Sequence, residues 1–449
     1  MLAAKISGLY EDYLKMMENK YRTKNKILKH DVLVIDSYDG AIHTNTSKGR
    51  ESIISFSSQM FSQSTVESGD TTAKRLNIMT WQQVRGDENL CTLFPSLKHV
   101  FDSQAKIRDR NGNLIPGITL WFFALHDGKM LYILTQHSLY NRRHHPFLLC
   151  KCKRGEGVNN ENHECKIISD DDQVYYWERS LCRWNDKRKR SCELYLQRHH
   201  RDWVDEHNFG ISHYGFHPKM LPRNMLRFDV LHLRCSITRR LMSSLRKFML
   251  TQSIELLMQF SDLLATFWIP RNVLVWNLNL GFQSMNGKEL LAFINNTGLI
   301  VEFLQEKFVK TATRTNVSDG LILWSKISPF LVITALEKDK YNNELIQFKR
   351  RLKQFYNVGK SSFLTKNPAF VGDDETFYMH TLRFYLPQIA EQTFEKFGLG
   401  LGIFTMQGFE RRNKESKNTL SRFSNGNGNT LIANLKRLWD VFQFETNNT

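Results

Sequence analysis

The sequence predicts an α/β fold: a mixed sheet with flanking helices, interrupted by a Cys/His insert and by a large all-helical insertion. Three observations predict it. The stretch DVLVIDSYDGAIH (31–43) carries an apolar run, Val32 to Ile35, into two carboxylates, Asp36 and Asp39, and a second strand-like run follows at Ser52 to Phe61. Residues 150–165 place Cys150-x-Cys152 and His163-x-Cys165 at the two ends of a Gly/Asn-rich loop. From about Leu231 the apolar residues recur at i, i+3 and i+4, the period of a helix buried along one stripe.

Composition narrows the functional classes. A chain of 449 residues suggests two to four structural units, and 41% hydrophobic with 12% aromatic residues indicates a folded protein. The formal net charge is +17 and the pI about 9.5, which favours a polyanionic partner, most simply nucleic acid. The seven cysteines are odd in number and follow no secretory signal, so a disulfide framework is not expected. A reducing compartment fits, and for a DNA-acting protein that is the nucleus. No apolar run approaches the ~20 residues of a membrane span.

Taken in order, residues 1–29 read as a helical, basic lead-in, with Leu9, Tyr13 and Met16 at helical spacing. Residues 30–149 form the first part of the core. Here the Asp31 stretch and Ser52–Phe61 make a hairpin, with a turn read at Asp39-Gly40. A short helix is expected over Thr72–Arg85, and DRNGN (109–113) is turn chemistry. Ile118–Ala124 is a buried strand. Met130–Thr135 is either its hairpin partner across an Asp127-Gly128 turn or the start of a helix, and Phe147–Cys150 is a short strand. Residues 150–210 hold the Cys/His insert and a basic helix, with Val174, Trp177 and Leu181 as its apolar stripe. Residues 211–234 carry a core strand that ends at Leu226-Arg-Phe-Asp229. Residues 235–395 form the helical insertion. Residues 396–449 return to the core with a Gly-rich turn, a helix over Gly408–Leu420 and an amphipathic helix over Leu431–Phe444.

Three constellations carry chemistry. Two-metal phosphodiester chemistry needs carboxylates converging on one point, and magnesium takes oxygen ligands while keeping several waters. Asp39 fits the first position, beside Gly40 where a substrate can approach closely; Asp36, three residues away, is the alternate. Asp229 fits a strand-end ligand or a structural helix N-cap. Glu410 opens a helix whose face also carries Asn413, Lys414 and Lys417, and it fits either a metal ligand or a first-turn partner of the helix dipole. Cys150, Cys152, His163 and Cys165 are four ligands suited to tetrahedral structural zinc, although their x-spacing of one is tighter than usual; separate buried thiols are the alternative. Basic residues, among them Arg142, Arg143, Lys187, Arg188, Lys189, Arg190, Arg411, Lys414 and Lys417, lie among aromatic residues such as Tyr140 and Trp203 and suit phosphate contacts and base stacking.

The DSYDGAIH strand, the CxC…HxC insert, RFDVLH and FTMQGFERRNKESKN together resemble the RNase H-like DDE transposases of eukaryotic cut-and-paste elements, most closely the hAT and Kyakuja–Dileera–Zisupton groups. The resemblance spans about residues 30–420. It implies an RNase H-like core in which Asp39, Asp229 and Glu410 hold two Mg²⁺ or Mn²⁺ ions. It also implies double-stranded DNA as substrate and a homo-oligomer that brings DNA ends together. Two departures matter. Asp229-Val-Leu-His232 matches a downstream Asp-x-x-His motif equally well, which would move the second ligand earlier, for example into Asp170-Asp171-Asp172. No N-terminal DNA-binding domain is visible. A domesticated, catalytically inactive nucleic-acid-binding protein is the alternative function.

Overall fold

In a computed structural model the structure describes residues 32–46, 49–61, 78–85, 104–108, 114–135, 137, 144–153, 164–165, 167–188, 193–214, 217–218, 221, 223–269, 287–308, 312–360, 376–406 and 410. The chain divides into two compact units. One, the sheet unit, gathers 1–138, 168–229 and 404–449; the other, the helical unit, gathers 139–167 and 230–403. The stretch expected to form one Cys/His insert is therefore shared, with Cys150, Cys152 and Cys165 in the helical unit and its basic helix in the sheet unit.

The sheet unit is built on β1 (Val32–Thr46), which buries Leu33, Ile35 and Ser37 at alternate positions as a pleated strand requires. It pairs antiparallel with β2 (Gly49–Phe61) along its whole length. The turn expected at Asp39-Gly40 is therefore not there: both residues lie within β1, opposite Ser55 and Ile54. A register shift between Ile42 and Thr44 marks a bulge instead. The helix expected over Thr72–Arg85 is corrected too. Ile78–Arg85 forms β3, antiparallel to β2, because the edge of β2 offers ladder partners and IMTWQQVR supplies β-branched and aromatic side chains.

On the other side of β1 lies β5 (Leu114–His126), parallel to it. The opposite edge of β5 is shared. β4 (Gln104–Arg108) pairs antiparallel along residues 114–121, and β6 (Leu226–Phe228) pairs parallel with Ala124–His126. The strand order is β3-β2-β1-β5-β4, with β6 beside the C-terminal end of β5. β5 runs into α1 (Gly128–Thr135), so Met130–Thr135 is helical rather than a hairpin partner. Two helices complete the described part of the unit, α2 (Asp170–Arg188) and α3 (Glu193–His207).

The helical unit begins with α4 (Val230–Gln252) and α5 (Ile254–Thr266). It continues through α6 (Gly287–Asn295), α7 (Thr297–Lys307), α8 (Ala312–Ile327) and α9 (Lys338–Lys360). Its core is aromatic: Phe260, Phe293, Trp324, Tyr341, Phe348, Phe355 and Tyr356 are fully buried, each burial stabilising by roughly 1.5–3 kcal/mol. The polar end of Trp324 is satisfied by Thr238, whose Oγ1 accepts from the indole Nε1 at 2.9 Å. The unit closes with α10 (Phe377–His380), a π-helical turn (Thr381–Tyr385) and α11 (Leu386–Phe397).

Gly398 ends α11 in the left-handed conformation, φ 65°. Gly400 and Gly402 lie against the backbone of Ile333 and Val332, where any Cβ would collide with a carbonyl. The Gly-rich turn is thus a packing requirement. The short strand expected at Phe147–Cys150 is instead a turn that ends in a single bridge between Cys150 and Ile167. The lead-in helix, the terminal helix 431–444 and most of 408–420 fall outside the described residues.

Candidate metal centre and strand-end carboxylates

Cys150, Cys152, Cys165 and His380 place their ligand atoms within 4.8 Å of one another. The His380 Nε2 is 3.3 Å from the Cys150 Sγ and 3.6 Å from the Cys165 Sγ, and Cys152 and Cys165 stand 3.6 Å apart, sulfur to sulfur. A disulfide at about 2.05 Å is far shorter. Tetrahedral zinc, with bonds of about 2.3 Å to sulfur and about 2.0 Å to nitrogen, sets its ligands about 3.8 Å (S···S) and about 3.6 Å (S···N) apart. The four residues therefore fit zinc in both chemistry and spacing. All four ligands come from the protein, which suits a structural rather than a catalytic ion.

Local structure explains the convergence. The bridge between Cys150 and Ile167 holds the two ends of the 150–167 loop together, bringing Cys150 and Cys152 near Cys165. His380 is the last residue of α10, stacked on the Phe147 ring at 3.6 Å between centroids and 11° between planes. The π-helical turn that follows suits an i, i+5 pair, and Tyr385 lies five residues on. Its hydroxyl donates to the Cys150 Sγ at 3.1 Å and accepts from the Leu149 amide at 3.3 Å.

Burial alone would raise the Cys150 thiol; hydrogen bonds from Cys152, Cys165 and Tyr385 outweigh it and hold its pKa well below the ordinary range. Cys165 moves the opposite way, raised by its hydrogen bonding to Cys150 and Cys152 and then by burial. Burial, then the charges of Cys150 and Cys165, pushes Tyr385 up, so it remains a donor.

Three of the four expected ligands, Cys150, Cys152 and Cys165, stand together in the cluster. His163 lies outside the described residues, and His380, far along the chain, stands with the three cysteines. Spacing rules search neighbouring residues and cannot find such a ligand. The available signal was a histidine within the aromatic run FYMHTLRFY, at a position buried to 1% exposure.

The carboxylates belong to the sheet unit. Asp36 pairs with Ala124 of β5, and Ala124 pairs with Leu226 of β6. Three residues beyond each member of that row come Asp39, within β1, and Asp127 and Asp229, each just past the end of its strand. Asp127, which the sequence reading passed over, is half-buried; its Oδ1 accepts from the Met130 amide at 2.7 Å and starts α1. Asp229 is fully buried, and its Oδ1 accepts from the Met406 amide at 2.9 Å. The Met406 carbonyl in turn accepts from the Glu410 amide at 2.8 Å. Two hydrogen bonds therefore link the end of β6 to the helical turn bearing Glu410, which is half-buried.

The same segment is fixed by rings. Phe404 packs edge-on to Phe123 at 6.1 Å, and the Arg227 guanidinium lies over both, 4.1 Å from Phe123 and 5.5 Å from Phe404. Burial lowers Arg227 to about 9; its Nη1 donates to the carbonyls of Asn224 and Leu226 at 2.6 and 2.9 Å.

Asp170, Asp171 and Asp172 form the first turn of α2, with Asp170 accepting from Asn224 at 2.9 Å. Burial and then the neighbouring Asp171 raise the Asp170 pKa. Of the basic residues, Lys187 is exposed near the end of α2 and Arg188 is its last residue. Arg142, Arg143, Lys189, Arg190, Arg411, Lys414 and Lys417 lie outside the described residues.

No protein-family model matches the chain, and no curated protein matches it. Among the described residues no helix is long and apolar enough to cross a membrane.

Proposed function

We propose that the chain is a metal-dependent DNA nuclease or strand transferase of the RNase H-like, cut-and-paste transposase type. The observation that carries this reading is the row of carboxylates, Asp39, Asp127 and Asp229, following paired positions on β1, β5 and β6. The strand arrangement supports it: an antiparallel β1–β2–β3 ribbon continued by two parallel strands. Ligands of open α/β sheets gather at the carboxyl ends of parallel strands.

Asp39, with Asp36 as the alternate, Asp127 and Glu410 are the proposed ligands for two Mg²⁺ or Mn²⁺ ions. Bound, such ions stabilise the attacking and leaving oxygens of an in-line displacement, ~3.5–4 Å apart. Asp229 is better suited to positioning than to ligation, because it is sealed from solvent and spends an oxygen on the Met406 amide. Asp127 is more accessible, and one of its oxygens makes no hydrogen bond to the described residues. Zinc at the Cys₃His cluster orders the loop that closes on α10. The partner is double-stranded DNA, the compartment the nucleus, and a homo-oligomer would join two DNA ends.

The test is Mg²⁺- or Mn²⁺-dependent nicking of labelled duplex DNA by wild type, Glu410→Gln and Asp127→Asn. Wild-type nicking reduced on the order of a hundredfold or more in both variants is expected. Equal activity in all three overturns the assignment. DNA binding by a wild type that never nicks points instead to the inactive, DNA-binding alternative.

A further inference from the structure

The sheet unit also carries a cationic stripe that forms no ion pair among the described residues. Arg179, Arg183 and Lys187 recur at i, i+4 and i+8 along α2, about 6 Å apart per step. Among the described residues no carboxylate lies within ion-pair distance of any of the three; Glu206, on α3, is 3.8 Å from His207 instead. Asp186 lies at i+3 from Arg183 on the same helix without closing to ion-pair distance. Here two guanidiniums are crowded together: burial and then the Arg179 charge push Arg183 below its usual range.

An aromatic platform holds them in place. The Arg183 guanidinium lies 4.3 Å from the centre of the Trp203 ring, and that of Arg179 5.3 Å. Trp203 is itself stacked on His207, 8° from parallel at 6.0 Å. The Arg179 Nη1 donates to the His207 carbonyl at 3.1 Å, pinning the outer arginine to the end of α3. A ring face attracts a guanidinium without consuming its N–H donors. Arg183 is therefore fixed in orientation while its donors hydrogen-bond to no described protein group. Fixed, unspent donors in a planar fork are what a phosphate requires, and their prior ordering lowers the entropic cost of binding.

We propose that Arg179 and Arg183, seated on Trp203, bind the phosphate backbone of nucleic acid together with Lys187. This inference rests on a nucleic-acid partner but not on catalysis, so the two readings can fail separately. Contacts to phosphate position the protein and supply affinity without sequence preference.

The experiment is fluorescence anisotropy of a labelled duplex over a salt series, using the full chain. For Arg179→Gln/Arg183→Gln/Lys187→Gln, affinity at moderate salt is expected to fall by about tenfold to a hundredfold, and the slope of log K against log salt by roughly two to three. Trp203→Leu should weaken binding less and leave that slope nearly unchanged, because the charges remain but their ordering is lost. A triple variant that is folded by circular dichroism and keeps the wild-type affinity and slope overturns the proposal. A wild type that binds no nucleic acid at any salt overturns it as well, whereas loss of nicking alone in Asp127→Asn bears only on the catalytic site.

Discussion

The two candidate metal sites are built in opposite ways. In the helical unit, three thiols and an imidazole stand at distances that zinc would set, with Tyr385 and Phe147 behind them. In the sheet unit, Asp127 and Asp229 follow strand ends and each already gives an oxygen to the backbone, Asp127 at Met130 and Asp229 at Met406. Soft ligands that fill all four positions make a closed staple; hard oxygen ligands that leave room for water make a site for chemistry. The difference teaches where each site's ordering comes from. The cysteine site gathers residues far apart in the chain around one point, whereas Asp127 and Asp229 are placed by the ends of two paired strands.

The largest effect should come from the closed site. A structural ion couples its binding to folding, and in small zinc domains it contributes about 10–16 kcal/mol. Cys165→Ser is expected to reduce zinc, measured by elemental analysis, from one per chain to a trace, and to lower the main thermal transition. A strong chelator should do the same to wild type. An unchanged zinc content in Cys165→Ser would remove the cluster from consideration.

An intermediate effect is expected at Asp229. Asp229→Ala leaves the buried Met406 amide without its acceptor, a cost of about 1–3 kcal/mol, and loosens the turn carrying Glu410. Asp229→Asn keeps an acceptor oxygen and should recover most of the stability in thermal melts. If Asp229 positions rather than ligates, the Asn variant also keeps most of the Mn²⁺-dependent nicking, whereas Asp127→Asn does not. Similar collapse of nicking in both Asn variants would restore Asp229 as a ligand.

The same contrast explains what was legible in the sequence. Helices α4 to α9 announce themselves by apolar period, because each buries one stripe against its neighbours. The β1 and β5 strands were visible from β-branched and aromatic runs. Ile78–Arg85 was misread because an eight-residue segment fits either period, and the deciding partner, β2, is far away in sequence. Cys150, Cys152 and Cys165 were legible as a group because they are neighbours, and His380 was not, since only the tertiary fold brings it there. Asp127 read as a turn, Asp127-Gly128; its proximity to β1 is a property of strand order, which a single sequence does not state.

The sheet unit has a pH response of its own, away from both sites. The Ser180 hydroxyl lies 3.0 Å from the His200 Nε2 and 2.9 Å from the His213 Nδ1, beneath Trp184. Burial, then Arg183, lowers His200 to about 4; burial, then His200, lowers His213 to about 4. Both are depressed below the unfolded value of 6.5, so between these limits the unfolded chain binds more protons. The contribution is complete above about pH 6.5, declines as pH falls towards 4, and changes no further below that. In thermal melts with zinc held saturating, His213→Gln should flatten the slope between pH 6.5 and 4. An identical slope would show that this pair does not set it.

The smallest effect belongs to the helical unit and touches no ion. Ser253 separates α4 from α5 in extended conformation, φ −164° and ψ 155°, and its Oγ accepts from the Leu256 amide at 3.0 Å. Glu255 in the first turn adds a favourable charge at the helix N-terminus. Ser253→Ala removes the cap and should cost about 1 kcal/mol, whereas Ser253→Asp should keep it. Because Ser253 takes no part in the Cys₃His cluster, zinc content should be the same in both variants while the thermal transition moves only in Ser253→Ala. Loss of zinc in Ser253→Ala would mean that the α4–α5 junction and the metal site melt as one body, and the staple would then order far more of the helical unit than its own loop.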